Sequence, residues 1–159
     1  MPYVEGLFYL LLTGDIPSES EVADVVDEFN KRRILPRYVY EVIDSFPCCS
    51  HPMPIFSAAI TTMQRESFFW YNYAAGLNKS EYWDPTYEDS LNLLAKLPEV
   101  ATYIYAKLYR DGKRIQSNPF LDYGANFAHM MGKPAPYDDV SRMNFIIHAD
   151  HESGNVSAH

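Results

Sequence analysis

Cysteine is nearly absent: the 159 residues hold two, and these are neighbours, Cys48 and Cys49. Adjacent cysteines rarely reach the geometry of an ordinary disulfide, which argues against a disulfide-stapled secreted scaffold and fits a reducing compartment. Both are expected as small thiols, buried or partly buried. Basic charge is also scarce. With 13 Lys and Arg against 21 Asp and Glu, the net charge of −8 gives no electrostatic footprint for nucleic acid or an anionic membrane. Long apolar runs are missing too: the strongest early one, Leu7 to Leu12, stops at Gly14 and Asp15, well short of the roughly 20 residues a bilayer crossing needs. There is no internal repeat and no low-complexity tract. Met1-Pro2-Tyr3 shows neither a secretory nor a transit-peptide pattern, so any organelle address is expected upstream of this chain.

What is present is material for a core, 47% apolar and 15% aromatic, patterned for helices. Ser18 and Glu21 have the spacing of a capping box. Val22, Val25, Val26 and Phe29 then follow the i, i+3, i+4, i+7 stripe of an amphipathic helix predicted to end near Leu35, before Pro36. Arg37 to Phe46 predicts a short second helix stopped by Pro47. Ile55 to Met63, with Ser57, Ala58 and Ala59, reads as a core helix that lets a neighbour approach closely. Asp84-Pro85 reads as an N-cap and first helical residue. Pro98 is expected to open a separate helix carrying Val100, Ile104 and Leu108. A polar loop from Asp111 to Pro119 precedes predicted helices near Tyr123 to Met131 and Asp138 to His148. The fold class is therefore all-α and multi-helical.

Proton-transferring chemistry is concentrated in the last twelve residues, His148 to His159, which carry three imidazoles and two carboxylates. Gly154 permits a tight turn and Asn155 is a good N-cap, so His159 is expected in the first turn of a helix. There the positive end of the helix dipole keeps imidazole neutral and able to donate to a developing oxyanion. His148 and His151 are three apart and invite a metal reading, but a closed zinc site needs more ligands than this spacing supplies, and no metal is expected. Elsewhere, His51 between prolines is expected to orient the start of the helix that follows it. Asn126 reads locally as a helix cap or internal hydrogen-bonding residue. The aromatic run Phe68, Phe69, Trp70, Tyr71 and Tyr73 lacks basic interleaving, and reads as core or dimer-interface packing rather than a base-stacking platform.

Six blocks occur in one order along the whole chain: Val4-Glu5-Gly6-Leu7-Phe8 through Leu12-Thr13-Gly14-Asp15-Ile16-Pro17; His51-Pro52-Met53 with Ser57-Ala58-Ala59-Ile60-Thr61; Tyr87-Glu88-Asp89; Ala95-Lys96-Leu97-Pro98; Asp122-Tyr123-Gly124-Ala125-Asn126-Phe127; and the tail His148-Ala149-Asp150-His151-Glu152-Ser153-Gly154-Asn155-Val156-Ser157-Ala158-His159. Together they resemble citrate synthases of the eukaryotic mitochondrial type. The resemblance implies that residues 1–159 are a partial large helical domain of a homodimeric enzyme, with the rest of that domain and the small domain outside this chain.

By the same resemblance, the activity is condensation of acetyl-CoA with oxaloacetate and water to citrate and CoA, in the mitochondrial matrix, with acetyl-CoA as a substrate and no cofactor. His159 matches the histidine that hydrogen-bonds the thioester carbonyl and stabilises the enolate. Asp150, His151, Glu152 and Asn155 are expected to hold the turn that places it, and Asn126 is a candidate substrate-binding residue. Ala125 stands where some relatives carry a histidine that contacts oxaloacetate, and Ser153 where a second glycine is common. The family's proton-abstracting aspartate and second histidine are not among these 159 residues, so the chain alone is expected to be inactive, since such residues act as a unit. Apolar faces that the missing helices cover are expected to be exposed. Two alternatives are a 2-methylcitrate synthase using propionyl-CoA, which differs by one methylene in the pocket, and a non-catalytic structural relative or truncated fragment.

Overall fold

The computed structural model describes residues 2–149, and these contain eight α-helices: α1 Val4–Thr13, α2 Glu19–Arg32, α3 Arg37–Ser45, α4 Pro52–Met63, α5 Phe68–Ala74, α6 Trp83–Tyr109, α7 Tyr123–Met130 and α8 Tyr137–His148. Among the described residues there is no strand, as the helical periodicity implies. The chain divides into two compact units. Lys31–Arg114 is one, and the described residues on either side of it form the other.

In the Lys31–Arg114 unit the core is built from Leu35, from Val39 and Ile43 of α3, from Ile55, Ala59 and Met63 of α4, and from Val100 and Ile104 of α6. Val39, Ile43, Ile55 and Val100 are completely buried, and each contributes about 1.5–3 kcal/mol by leaving water. The small Ala59 is equally buried, consistent with the close approach expected of α4. That helix begins three residues earlier than Ile55. His51 is its N-cap, its Nδ1 accepting from the Met53 N–H at 3.2 Å, and Pro52 fills the first helical position, where no N–H is needed. The structural reading of His51 is borne out.

The two helices expected around Pro98 are one. The 27-residue α6 runs through a buried Pro98. An interior proline costs roughly 3 kcal/mol, but Val100 and Ile104 beyond it and Leu91 and Ala95 before it are all buried, which outweighs that cost. The Asp84-Pro85 signal is displaced rather than wrong in kind: α6 starts at Trp83, so Pro85 is its third residue, still among those without an intrahelical acceptor, and Asp84 is the acid of the first turn. Asp89 of α6 in turn caps α5, accepting from Ser67 Oγ at 2.6 Å, Phe68 N at 2.7 Å and Phe69 N at 3.1 Å.

Of the two roles expected for the aromatic run, core and dimer-interface packing, the first does not hold: Phe68, Trp70, Tyr71 and Tyr73 are each about half exposed in this chain, because a seven-residue helix turns one narrow side inward, and Phe69 takes it, its ring 5.2 Å from that of Tyr82. Cys48 and Cys49 are both free and exposed rather than buried, because they fall in the turn between α3 and α4, outside either apolar stripe.

In the other unit the capping box at α2 forms as expected. Ser18 donates its N–H and its hydroxyl to Glu21 Oε2, each at 2.7 Å, and the Glu21 N–H reaches Ser18 Oγ at 3.4 Å. Those bonds, with the one from the Tyr9 hydroxyl, hold the Glu21 carboxyl down at about 2. α2 ends at Arg32 rather than near Leu35, which is drawn into the α3 and α4 core. A run of rings joins the helices: Phe8 of α1 to Phe29 of α2 at 5.4 Å, Phe29 to Tyr123 of α7 at 5.7 Å, and Tyr123 to Phe145 of α8 at 5.3 Å. The outer side of α8 stays open, with Tyr137, Val140, Met143 and Ile147 each more than two-fifths exposed.

Candidate functional site

α8 carries the chain to the start of the chemistry-rich tail, and it is fixed from α7 by one ion pair. Asp122 is the N-cap of α7, its Oδ1 accepting from the Ala125 N–H at 3.2 Å. The same carboxylate takes a two-pronged grip from Arg142 of α8, Nε to Oδ1 at 3.0 Å and Nη2 to Oδ2 at 2.5 Å. Both side chains are largely buried, at 8% and 13% exposure. Burial opposes ionisation of Asp122, yet the Arg142 and Ala125 hydrogen bonds together hold its carboxyl below the usual value. The same bond from Asp122 raises Arg142, against the effect of burial. Asp138 and Asp139 add weaker partners to Arg142 Nη1 at 3.6 Å and 2.8 Å. The pair can close this tightly because residue 124 is glycine: a Cβ there would lie 2.6 Å from Arg142 Cγ and 3.0 Å from its Cα.

Glu5 of α1 reaches the same helix start. Its Oε1 accepts from the Tyr123 N–H at 2.6 Å, while Oε2 is buried with no hydrogen-bond partner. At 1% exposure the carboxyl is pushed up by burial, although its backbone hydrogen bonds pull the other way. Neither Glu5 nor Arg142 was singled out on its own from sequence. The available signal for Glu5 was a lone carboxylate near the start of an apolar run, Val4 to Leu12, with no basic residue beside it.

Asn126, the candidate substrate-binding residue, spends its Oδ1 on the Asn118 N–H at 2.9 Å and so anchors the end of the polar loop to α7. The local reading, an internal hydrogen bond, therefore describes what its carbonyl oxygen does. His129 on the same helix lies with Nε2 3.1 Å from the Gln116 carbonyl. His148 lies with Nδ1 2.8 Å from the Asn144 carbonyl of its own helix. Among the described residues, no group of three or more His, Cys, Asp or Glu side chains is placed to hold a metal ion. His159, together with Asp150, His151, Glu152 and Asn155, lies outside the described residues.

These helices define a protein class before they define a family. Superposed on citrate synthase from Pyrobaculum aerophilum, the chain gives a TM-score of 0.80 at 28% identity over 96% of its length, covering 39% of that structure, so the fold is the all-α one of that enzyme. Residues 2–159 match the family model "Citrate synthase, C-terminal domain", and the chain belongs to this family. It is 46% identical over 159 residues to mitochondrial citrate synthase from Daucus carota and 47% identical over 160 residues to a probable mitochondrial citrate synthase from Caenorhabditis elegans. In each case 99% of this chain is matched, and the chain spans 34% of the relative's length.

Proposed function

We propose that this sequence serves as part of a citrate synthase, condensing acetyl-CoA with oxaloacetate and water to citrate and CoA. The observation that carries the reading is the family match through the tail to His159, with close identity to enzymes named as mitochondrial citrate synthases. His159 is assigned the donor to the thioester carbonyl. As that oxygen gains charge during enolate formation, a neutral imidazole donor stabilises it most where water is excluded. Asp150, His151, Glu152 and Asn155 are assigned to holding His159 in place. The proton-abstracting carboxylate, and the group polarising oxaloacetate, come from beyond this chain. Acetyl-CoA acts as substrate and no cofactor is invoked. The working protein is assigned to mitochondria, in the matrix, and to a homodimer.

The α7 and α8 arrangement supports this reading without performing chemistry. The Asp122 to Arg142 grip and the Glu5 cap fix the direction in which α8 delivers the chain toward its tail. The test is CoA release from acetyl-CoA and oxaloacetate by the complete protein carrying this sequence, beside its His159→Gln variant. The expected loss is about 10²- to 10³-fold in kcat, the usual size for removing one donor to a developing oxyanion. Equal turnover by the variant would refute the role of His159, and absence of citrate from the complete parent protein would refute the activity. Residues 1–159 alone are expected to make no citrate.

A further inference from the structure

We propose that Cys48 and Cys49 form a dithiol site for soft, trivalent thiophilic ligands, with monosubstituted arsenicals as the chemical class. Both thiols are free and exposed, and they are the only two cysteines of the chain. They sit in a turn closed by the Ser50 N–H donating to the Pro47 carbonyl at 3.0 Å. That turn is held at both ends. On one side the Lys107 ammonium donates to the carbonyls of Ile43, Asp44 and Phe46 at 2.7, 2.9 and 2.7 Å, fastening the end of α3. On the other, His51 caps α4 through the Met53 N–H, with Pro52 at the first helical position. Two neighbouring sulfurs are thus displayed on a short, anchored segment, which lowers the ordering cost of bringing both to one atom.

Geometry selects the ligand. The peptide bond between the two cysteines is trans, so their Cα atoms stand about 3.8 Å apart, less than the roughly 4.4–6.8 Å that ordinary disulfides span. A direct sulfur–sulfur bond is strained, whereas one bridging atom lengthens the link and relieves it. Zinc does not fit, because a closed site takes four ligands and, among the described residues, no third or fourth is placed with the two thiols; His51 has its Nδ1 committed to the helix start. A monosubstituted trivalent arsenical needs two thiolates only. Its reaction balances as R–As=O plus two S–H giving R–As(S)₂ plus water. Two As–S bonds replace the bonds to oxygen, both thiol protons leave on that oxygen, and arsenic stays trivalent, so no oxidant is consumed.

The test is titration of the full chain with phenylarsine oxide, read by intact mass and by alkylation of remaining thiols with iodoacetamide. One equivalent is expected to bind, to block both thiols together, and to be displaced by a competing dithiol but not by a monothiol at the same sulfur concentration. Cys48→Ser and Cys49→Ser, and the corresponding alanine variants, are each expected to bind about 10²-fold more weakly, since the second As–S bond is no longer intramolecular. Retention of parent affinity by either single variant, or two alkylatable thiols under excess arsenical, overturns the proposal. Far-ultraviolet circular dichroism matching the parent shows which variants are folded, and the comparison uses those.

Discussion

Arg142 and Asp122 join α8 to the first turn of α7 by two parallel hydrogen bonds, with both side chains at most 13% exposed. A lysine at 142 would keep the charge and lose the fork. Cutting a buried pair on one side leaves the other charge desolvated and unanswered, at a cost of about 3–5 kcal/mol. Arg142→Ala is therefore expected to destabilise the chain by about 3 kcal/mol, with Arg142→Lys intermediate. Urea unfolding is the appropriate measurement, because guanidinium chloride screens the pair under study. An Arg142→Ala variant with parental stability would show that the grip contributes nothing net.

Gly124→Ala tests how closely the two helices must approach. In an exposed helix interior the exchange gains roughly 0.5–1 kcal/mol from reduced backbone entropy. Here the new Cβ would meet Arg142 Cγ at 2.6 Å and the Arg142 backbone at 3.0 Å. The side-chain contact can yield, but the backbone contact requires α8 to move, and overpacking of this kind costs about 1–3 kcal/mol. The expected sign is destabilising. Combined with Arg142→Ala the two losses should add to less than their sum, because both act on one contact. Additive losses in urea unfolding would mean that the clash is relieved elsewhere.

His51 caps α4 with a ring nitrogen in place of the usual oxygen. His51→Ala is expected to cost about 1 kcal/mol, as for loss of other N-caps. His51→Asp should recover it, since a carboxylate accepts from the same N–H and favours the positive helix end. Thermal unfolding of the three proteins checks the order. If aspartate restores stability but the complete enzyme stays impaired, His51 has a second task that capping does not explain.

The parts of the fold that sequence made legible are those in which one residue's neighbours along the chain decide its conformation. Ser18 and Glu21 are three apart and cap each other, and His51, Pro52 and Met53 start α4 within three residues. Pro98 was misread because its local penalty is real, and what overrides it is burial of Val100 and Ile104 against α3 and α4, far away in sequence. The exposed cysteines follow the same logic, since chemistry places a thiol inside and the turn that carries it decides otherwise. At the candidate site, Asp122, Tyr123 and Asn126 belong to one of the six blocks and Glu5 to another, but nothing local pairs them with the groups they bond: Glu5, Arg142 and Asn118 lie 118, 20 and 8 residues away. Hydropathy sorts a carboxylate and a guanidinium outward, so their burial becomes visible only when both partners are placed.

Glu5 gives the last prediction, a pH dependence. Its carboxyl is buried among Tyr123 and Asp122 from the start of α7 and Arg142 from α8. Burial raises it above the ordinary value of 4.5, with the Asp122 charge adding to the rise and the Tyr123 N–H and Arg142 opposing it. A native acid that holds its proton more tightly than the unfolded one binds more protons when folded. Its contribution is therefore full below 4.5 and declines as pH rises through the raised native value. Asp122 acts in the opposite sense: held below its ordinary 3.8, it stabilises above that value, and the effect is lost as pH falls through the depressed native one. Glu5→Gln keeps an acceptor for Tyr123 and removes the titration. The stability of the variant relative to the parent is expected to grow from pH 4.5 upward and then level off, while the loss at lower pH that Asp122 produces remains in both. Urea unfolding at half-unit steps from pH 3 to 8 measures that difference directly; a difference that stays flat across the range would show that Glu5 titrates alike in the folded and unfolded chain, and one that declines with pH would show that folding lowers its carboxyl instead of raising it.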